Sequence, residues 1–240
     1  MSLVLRSLLF NAAFWLWTTL AALAALAVIW GPQRWTLAVG RLWCAGTLGL
    51  LRAICGLSHE VRGRVPAGPV IVASKHQSAW DTLIFPVLLG DPAYVLKREL
   101  LRIPLLGLCF WKAGHIAVDR SGGGVALRRM IRAAKEAAAA GRPIVIYPEG
   151  TRTAPGSHRP YQPGVLALYA QLGRPVVPVA LNSGLFWGRR SFEKRPGRIL
   201  LEFLDPIPPG LDRRAFLAEL ERRIETASDR LAAEARRDRR

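Results

Sequence analysis

The apolar positions divide the chain at about residue 57. Residues 8–30 form an almost unbroken apolar run, and no charged residue occurs between Ser7 and Gln33. As a helix this run would extend about 35 Å, enough to cross a hydrocarbon core of ~30 Å. The run is too long for the apolar part of a signal peptide, although a helix buried in a protein core would show the same pattern. We therefore expect a helix that inserts into a membrane.

The next segment, residues 34–57, combines an apolar surface with a narrow basic stripe. Arg34, Arg41 and Arg52 are spaced so that they fall within about 20° of one another on a helix that turns ~100° per residue. The remaining surface is apolar and contains Trp35, Leu42, Trp43, Leu50, Leu51 and Ile54. This pattern is typical of the membrane interface, and a second buried helix with its arginines directed outward is the alternative. Residues 1–57 are thus predicted to form a helical hairpin that anchors the chain to a bilayer, either by spanning it or by entering one leaflet.

From residue 58 to residue 240, short apolar runs alternate with amphipathic stretches. Strands are expected near residues 60–62, 70–74, 93–96, 116–118, 144–147, 176–181 and 198–204. Helices are expected near residues 81–89, 102–113, 125–140, 165–172 and 212–236, the last with a solvated face of Arg and Glu. This alternation predicts a second domain of class α/β, a largely parallel β-sheet flanked by helices.

Charge and cysteine content narrow the range of partners. The chain carries 34 Lys and Arg against 17 Asp and Glu, a formal net charge of +17, and 51% of its residues are hydrophobic. Such a balance suits nucleic acid, an anionic membrane or an acidic substrate. No zinc-finger spacing or aromatic RNA-binding signature occurs, so we expect no nucleic-acid partner. Cys44, Cys55 and Cys109 show no metal-ligand spacing and are odd in number, which predicts free thiols, no metal site and a globular part that faces a reducing cytoplasm.

The first candidate for chemistry is His76-Gln-Ser-Ala-Trp-Asp81, which follows the apolar run 70–74. His76 therefore lies at the carboxyl end of a predicted strand, where open α/β sheets place their ligand sites. Side chains five residues apart on one helix point about 140° apart, so the pair can meet only if His76 lies in the turn before the helix. An imidazole oriented by a carboxylate is suited to taking a proton from a hydroxyl group. A capping pair at a helix start is the alternative, and Ser78 as a nucleophile is disfavoured because the G-x-S-x-G elbow is absent.

The second candidate is Tyr147-Pro-Glu-Gly-Thr-Arg152, which ends the predicted strand 144–147. Pro148 and Gly150 predict a turn whose backbone N–H groups can face an anion. Arg152 adds a planar set of donors that fits a phosphate. Glu149 cannot bind phosphate directly, so we expect it to hold Arg152 or a substrate hydroxyl.

Two further segments, Gly114-His-Ile-Ala-Val-Asp-Arg120 and Val176-Val-Pro-Val-Ala-Leu-Asn-Ser183, complete an ordered pattern. With them the chain resembles the glycerolipid acyltransferase family over about residues 55–210, and within it the bacterial 1-acyl-sn-glycerol-3-phosphate acyltransferases. The matching blocks, in chain order, are His76-x4-Asp81, Gly114 to Arg120, Tyr147 to Arg152 and Val177 to Ala180. The chain has Lys75 before the first block, where many members have Asn.

The resemblance implies a role for each block. His76 would be the general base and Asp81 its orienting partner. The glycerol-phosphate acceptor site would be formed by residues from several segments, namely Glu149, Gly150, Thr151 and Arg152, with Arg120 and Lys97 near the phosphate. No metal or organic cofactor is implied, because the thioester donor is itself a co-substrate.

The implied reaction transfers an acyl chain from acyl-CoA or acyl carrier protein to the free sn-2 hydroxyl of 1-acyl-sn-glycerol-3-phosphate. The product, phosphatidic acid, is a precursor in phospholipid biosynthesis. The enzyme would act at the cell (inner) membrane, with its catalytic domain facing the cytoplasm and membrane lipids as partners. Two alternatives remain: O-acylation of another lyso-lipid, such as a lyso-ornithine lipid, and a non-catalytic membrane-binding protein.

Overall fold

The structure, a computed structural model, describes residues 2–237. Within this range it contains seven α-helices and seven β-strands. The helices are α1 (Leu3–Val28), α2 (Gln33–Cys55), α3 (Trp80–Leu89), α4 (Leu106–Lys112), α5 (Gly123–Ala139), α6 (Pro163–Leu172) and α7 (Arg213–Arg237). The strands are β1 (Leu57–Arg62), β2 (Ile71–Ser74), β3 (Ala93–Lys97), β4 (Ile116–Val118), β5 (Ile144–Ile146), β6 (Val176–Leu181) and β7 (Gly197–Phe203).

The described strands form one sheet in the order β1-β7-β6-β2-β5-β3-β4. Every pairing in it is parallel except that of β6 with β7. The prediction of an α/β fold with a largely parallel sheet flanked by helices is confirmed. Because β2 to β6 all run in the same direction, the residues that follow these five strands meet at one edge of the sheet, which we call the carboxyl edge.

Two helical layers cover the faces of the sheet. Ile71 and Val72 are neighbours in β2, so their side chains lie on opposite faces. Val72 is buried in a cluster with residues of α2 and α3. Ile71 is buried in a second cluster with residues of α5, α6 and α7. The N-terminal hairpin therefore lies on the face of the sheet opposite to α5, α6 and α7.

The two N-terminal helices are joined by reciprocal tryptophan hydrogen bonds. The Trp17 indole donates to the carbonyl oxygen of Trp43 at 3.0 Å, and the Trp43 indole donates to the Thr18 hydroxyl at 3.0 Å. Gly46 allows this close approach, because a Cβ at that position would lie 2.5 Å from the Trp17 ring. α2 packs against the sheet, and buried residues recur along it from Thr36 to Cys55.

α1 forms the outer layer of the hairpin and carries a long exposed apolar surface. This surface includes Leu5, Leu8, Leu9, Trp15, Leu16, Leu20, Leu23 and Leu26. α1 begins five residues before the predicted run because the Ser2 hydroxyl caps it, accepting a hydrogen bond from the Leu5 amide at 3.3 Å. By length and composition, both α1 and α2 are able to cross a membrane.

One predicted helix differs in the structure. Residues 102–113 were expected to be a single helix, but a 3-10 turn, Arg98–Arg102, is followed by the short helix α4. Pro104 lacks the amide that a continuous helix requires, and Leu105 has φ of 60°, which is left-handed backbone. These two residues separate the turn from α4.

Candidate active site

His76 lies in the turn between β2 and α3, at the carboxyl edge of the sheet. α3 begins at Trp80, so His76 precedes the helix and its ring can turn back toward Asp81. Ser78 is buried, and its hydroxyl accepts from the Trp80 amide at 3.1 Å just before the first turn of this helix. The geometry that the His-x4-Asp spacing requires is therefore present.

The Asp81 carboxylate is fully buried and accepts four hydrogen bonds. One oxygen lies 2.9 Å from His76 Nδ1 and also accepts from the amides of Gln77 at 2.6 Å and Ser78 at 2.8 Å. The other oxygen accepts from the Ser183 hydroxyl at 2.5 Å. Because the carboxylate is an acceptor, His76 donates from Nδ1, and the lone pair on Nε2 is left available to take a proton.

Tyr147 fixes the plane of the His76 ring. The two rings are stacked with centroids 4.0 Å apart, and the Tyr147 hydroxyl donates to the carbonyl oxygen of Asp81 at 2.9 Å. Burial raises the pKa of Tyr147 well above its ordinary value, so the phenol stays protonated. The His76 ring is thus held by Asp81 at one nitrogen and by Tyr147 across one face.

Glu149 does not take the position expected from the sequence. Its carboxylate is buried, accepts from the His76 amide at 2.9 Å and lies 2.6 Å from Lys75 Nζ. Within the described residues it forms no ion pair or hydrogen bond with Arg152, as the first of the two expectations required, and its contact with a substrate hydroxyl stays a prediction. Burial raises the pKa of Glu149, and Lys75 opposes that rise. Glu149 instead joins the backbone of the His76 turn to a buried lysine.

Lys75 is itself buried between two carboxylates. Its Nζ also lies 2.6 Å from Glu225 of α7, whose second oxygen accepts from the Tyr161 hydroxyl at 2.9 Å. The sequence predicted a solvated charged face for α7, yet Glu225 is only 8% exposed. α7 therefore reaches the residues beneath the His76 turn.

The turn after β5 contains Gly150, Thr151 and Arg152, and the Arg120 guanidinium lies beside Gly150. Gly150 has φ of 69°, a left-handed conformation that favours glycine, and a Cβ there would lie 3.0 Å from Gln162 and 3.7 Å from the Arg120 guanidinium. The Gly150 amide is used within the turn, where it donates to the Tyr147 carbonyl oxygen at 2.9 Å. The amides of Thr151 and Arg152 have no acceptor among the residues that the structure describes. These donors and the Arg120 guanidinium can face an anion.

Arg152 is half-buried and forms no ion pair within residues 2–237. Its positive charge is close enough to Tyr147 to lower the pKa of that phenol, against the larger effect of burial. Lys97 ends β3 at the same edge of the sheet, opposite Val118 of β4. It is half-exposed, forms an ion pair with Glu99 at 3.1 Å, and contacts none of the other predicted site residues.

Sequence reasoning missed Ser183, Lys75 and Glu225. Ser183 follows β6, and the position of β6 next to β2 in the sheet brings it to Asp81. The only available signal was that a strand predicted to be parallel places its next residues at the carboxyl edge. Lys75 was noticed as a departure from the usual residue, but a partner 150 positions away could not be identified from a local pattern.

The site combines a histidine with an available Nε2 and a cluster of anion-binding donors one strand away. Residues 58–182, slightly more than half of the chain, match the protein family called Acyltransferase. The chain belongs to this family.

Particular relatives agree with that assignment. The 1-acyl-sn-glycerol-3-phosphate acyltransferase of Pseudomonas aeruginosa is 33% identical over 224 residues, which cover 92% of this chain and 86% of the relative. The 1-acyl-sn-glycerol-3-phosphate acyltransferase alpha of Homo sapiens is 33% identical over 163 residues, 66% of this chain and 58% of the relative. The crystal structure of PlsC, the 1-acyl-sn-glycerophosphate (LPA) acyltransferase of Thermotoga maritima, superimposes with a TM-score of 0.77. At 20% identity, over 95% of this chain and 97% of that one, the match shows a common fold.

Proposed function

We propose that the chain transfers an acyl group from a thioester to the free sn-2 hydroxyl of 1-acyl-sn-glycerol-3-phosphate, with His76 as the general base. The observation that carries this proposal is the orientation of His76. Asp81 occupies Nδ1, and Nε2 has no hydrogen-bond partner among the described residues. The relatives named above are 1-acyl-sn-glycerol-3-phosphate acyltransferases, which supports the same acceptor.

The proposed reaction needs one base and no covalent enzyme intermediate. Nε2 of His76 takes the proton of the acceptor hydroxyl, and the hydroxyl oxygen attacks the thioester carbonyl carbon. The carbon–sulfur bond then breaks, and the leaving thiolate receives the proton from the imidazolium, which regenerates neutral His76. Asp81 stabilises the imidazolium while it exists. No cofactor takes part beyond the thioester co-substrate.

The acceptor phosphate would lie in the cluster formed by Arg120, Arg152 and the free amides of Thr151 and Arg152. Two guanidinium groups and two N–H donors suit a doubly charged headgroup. Gly150 contributes by its left-handed backbone, which shapes the turn, and Glu149 by holding the His76 turn through the His76 amide. Lys97 would assist only by its charge at the same edge of the sheet.

The hairpin would hold this site at a bilayer. α1 offers its apolar outer surface to lipid, but the C-terminal half of α2, from Cys44 to Cys55, packs against α3 and the sheet and cannot be surrounded by lipid at the same time. We therefore favour entry of α1 into one leaflet over a hairpin that spans the membrane. The catalytic domain would then lie on the cytoplasmic side, where acyl thioesters are made, and exchange lipid substrate and product with that leaflet.

The test uses purified protein in detergent, lysophosphatidate and an acyl thioester, with thiol release and product mass as readouts. His76→Ala is expected to lower kcat by at least ~10² while acceptor binding stays close to that of the wild type. His59→Ala, which removes an exposed histidine of β1, is the matched control and should retain activity. Near-wild-type turnover in His76→Ala would refute the base assignment. If the wild-type protein acylates another lyso-lipid in preference to lysophosphatidate, the acceptor assignment is wrong.

A further inference from the structure

We propose that the outer face of α5 is a docking surface for an acidic acyl carrier protein, which would deliver the thioester. This face carries Arg128, Arg132 and Lys135, which lie within about 60° of one another on the helix, with Arg129 beside them. All four side chains are exposed. The inference rests on the proposed acyl transfer and identifies one donor for it.

The charge of this face is almost uncompensated. The only acidic residue in α5 is Glu136, whose carboxylate lies 3.6 Å from Arg132, with both side chains largely exposed. Within residues 2–237, Arg128, Arg129 and Lys135 have no ion-pair partner. A set of like charges without partners does not stabilise the fold, but it attracts a partner of opposite charge.

The position of α5 relates this face to the site. α5 begins at Gly123, three residues after Arg120, whose guanidinium lies beside Gly150. Arg128 is five residues further on, about 7 Å along the helix axis from its start. A carrier bound to α5 would therefore lie next to the carboxyl edge, and its flexible prosthetic arm could extend over that edge to His76.

The side of the sheet on which α5 lies indicates whether its basic face binds a membrane or a soluble protein. α5 packs on the face of the sheet opposite to the face that α2 covers. Its basic residues therefore point away from the hairpin and from any bilayer that the hairpin enters. An anionic lipid surface would need to contact both sides of the molecule, whereas a soluble acidic protein can reach α5 directly. Coenzyme A also carries phosphates, but a small molecule does not need a basic face that extends over about two turns of helix.

The experiment compares two variants with the same change in net charge. Arg128→Glu/Arg132→Glu/Lys135→Glu reverses the α5 face, and Arg64→Glu/Arg174→Glu/Arg214→Glu reverses three exposed basic residues outside α5. Each protein is tested for binding to a fluorescently labelled holo-acyl carrier protein by anisotropy at several salt concentrations. Initial rates with acyl carrier protein and with acyl-CoA of the same chain length are measured in parallel.

We expect the α5 variant to weaken carrier binding and to lower kcat/KM for the acyl carrier protein at least ~10-fold at low salt. The difference in carrier affinity between the wild type and the α5 variant should decrease as added salt screens the charges. Rates with acyl-CoA should change less than about two-fold, and the control variant should resemble the wild type. Arg128→Gln/Arg132→Gln/Lys135→Gln, which removes charge without reversing it, should give an intermediate loss.

Three results would overturn the proposal. Unchanged carrier binding in the α5 variant would show that the face is not used. An equal loss with acyl-CoA would assign the face to the phosphates of a small donor, and a loss of binding to anionic vesicles with intact carrier binding would assign it to lipid. Failure of the proposed function is distinguishable, because a wild-type protein that transfers no acyl group can still be tested for salt-dependent carrier binding.

Discussion

Lys75→Met should destabilise the protein more than any substitution of a surface charge, because it leaves Glu149 ionised and buried. Lys75 Nζ lies 2.6 Å from Glu149 and 2.6 Å from Glu225, and the Lys75 side chain is 2% exposed. After the substitution Glu149 keeps one donor, the His76 amide, whereas Glu225 keeps Tyr161 and His158. The unpaired charge therefore falls mainly on Glu149.

The magnitude follows from the burial of the pair. Removing one partner of a buried ion pair costs about 3–5 kcal/mol. For a chain of this size, 1 kcal/mol changes the melting temperature by roughly 2–4 °C, so the expected decrease is about 6–20 °C. Lys97→Met is the matched control, since it removes the same atoms from a half-exposed pair with Glu99 and should cost at most ~1 kcal/mol. Turnover should also fall, because Glu149 holds the backbone of His76.

The pH dependence of the difference in melting temperature between wild type and Lys75→Met would identify Glu149 as the cause of the lost stability. Burial raises the pKa of Glu149 above that of the unfolded chain, and loss of Lys75 raises this pKa further. A carboxyl group with a raised folded pKa destabilises the protein at neutral pH, and this penalty disappears as pH falls through that pKa. The melting temperatures of wild type and Lys75→Met should therefore converge as pH falls through the raised pKa of Glu149.

Melting would be followed by tryptophan fluorescence in detergent, with Lys75→Met/Glu149→Gln as the fourth member of a double-mutant cycle. The double variant should regain part of the lost stability, because no charge is left unpaired on Glu149. A decrease in melting temperature for Lys75→Met no larger than that for Lys97→Met would show that the buried ion pair does not stabilise the fold. A difference in melting temperature from the wild type that does not depend on pH would exclude Glu149 as its cause.

Three further predictions concern the site and its surroundings. Ser183→Ala should lower kcat roughly ten-fold with little change in the KM for acceptor, because it removes one donor to the Asp81 carboxylate. Ser191→Ala is the control, since it removes a half-buried hydroxyl that donates to the Glu193 carbonyl oxygen and not to Asp81. A change in KM alone would contradict the orienting role of Ser183. Arg152→Ala should raise the KM for lysophosphatidate with a smaller effect on kcat, because the guanidinium is proposed to bind the acceptor phosphate. Initial rates over a range of acceptor concentrations measure both constants. An unchanged KM would show that the phosphate binds elsewhere. Burial lowers the pKa of His115 to about 4. As pH falls from 6.5 to 4, His115 takes up a proton in the unfolded chain before it does so in the folded protein. The free energy of unfolding should therefore decrease by up to about 3 kcal/mol over this range. His115→Gln should reduce that loss in acid titrations of the melting temperature, and an unchanged slope would exclude His115 as its source.

Much of the fold could be predicted because each element has a local signal. Predicted strands 116–118 and 176–181 coincide with β4 and β6, since short β-branched runs between turns are distinctive. The proximity of His76 and Asp81 could be predicted for the same reason, as both belong to one strand-to-helix turn. The predicted helix 102–113 is wrong because Pro104 and Leu105, the latter with positive φ, interrupt an otherwise apolar helical pattern.

The missed parts of the site depend on contacts between distant segments. Glu225 is one glutamate in a helix rich in Arg and Glu, and only the packing of α7 beneath the loop that follows Arg152 makes it different from its solvated neighbours. Glu149 is expected from the sequence to hold Arg152 or a substrate hydroxyl because a carboxylate cannot bind phosphate directly. The lysine that it contacts belongs to the adjacent strand β2, which sequence distance does not reveal.

The segment that matches the family ends at residue 182, one position before Ser183 and well before Glu225. The hydroxyl group that binds Asp81 and one of the two carboxylates that bind Lys75 are therefore both outside it. Two proteins can share the matched segment and still differ in these supports, so similarity within residues 58–182 measures common descent better than catalytic competence. A comparison of such proteins should ask first which residue follows β6 and which residue of the C-terminal helix lies under the histidine turn.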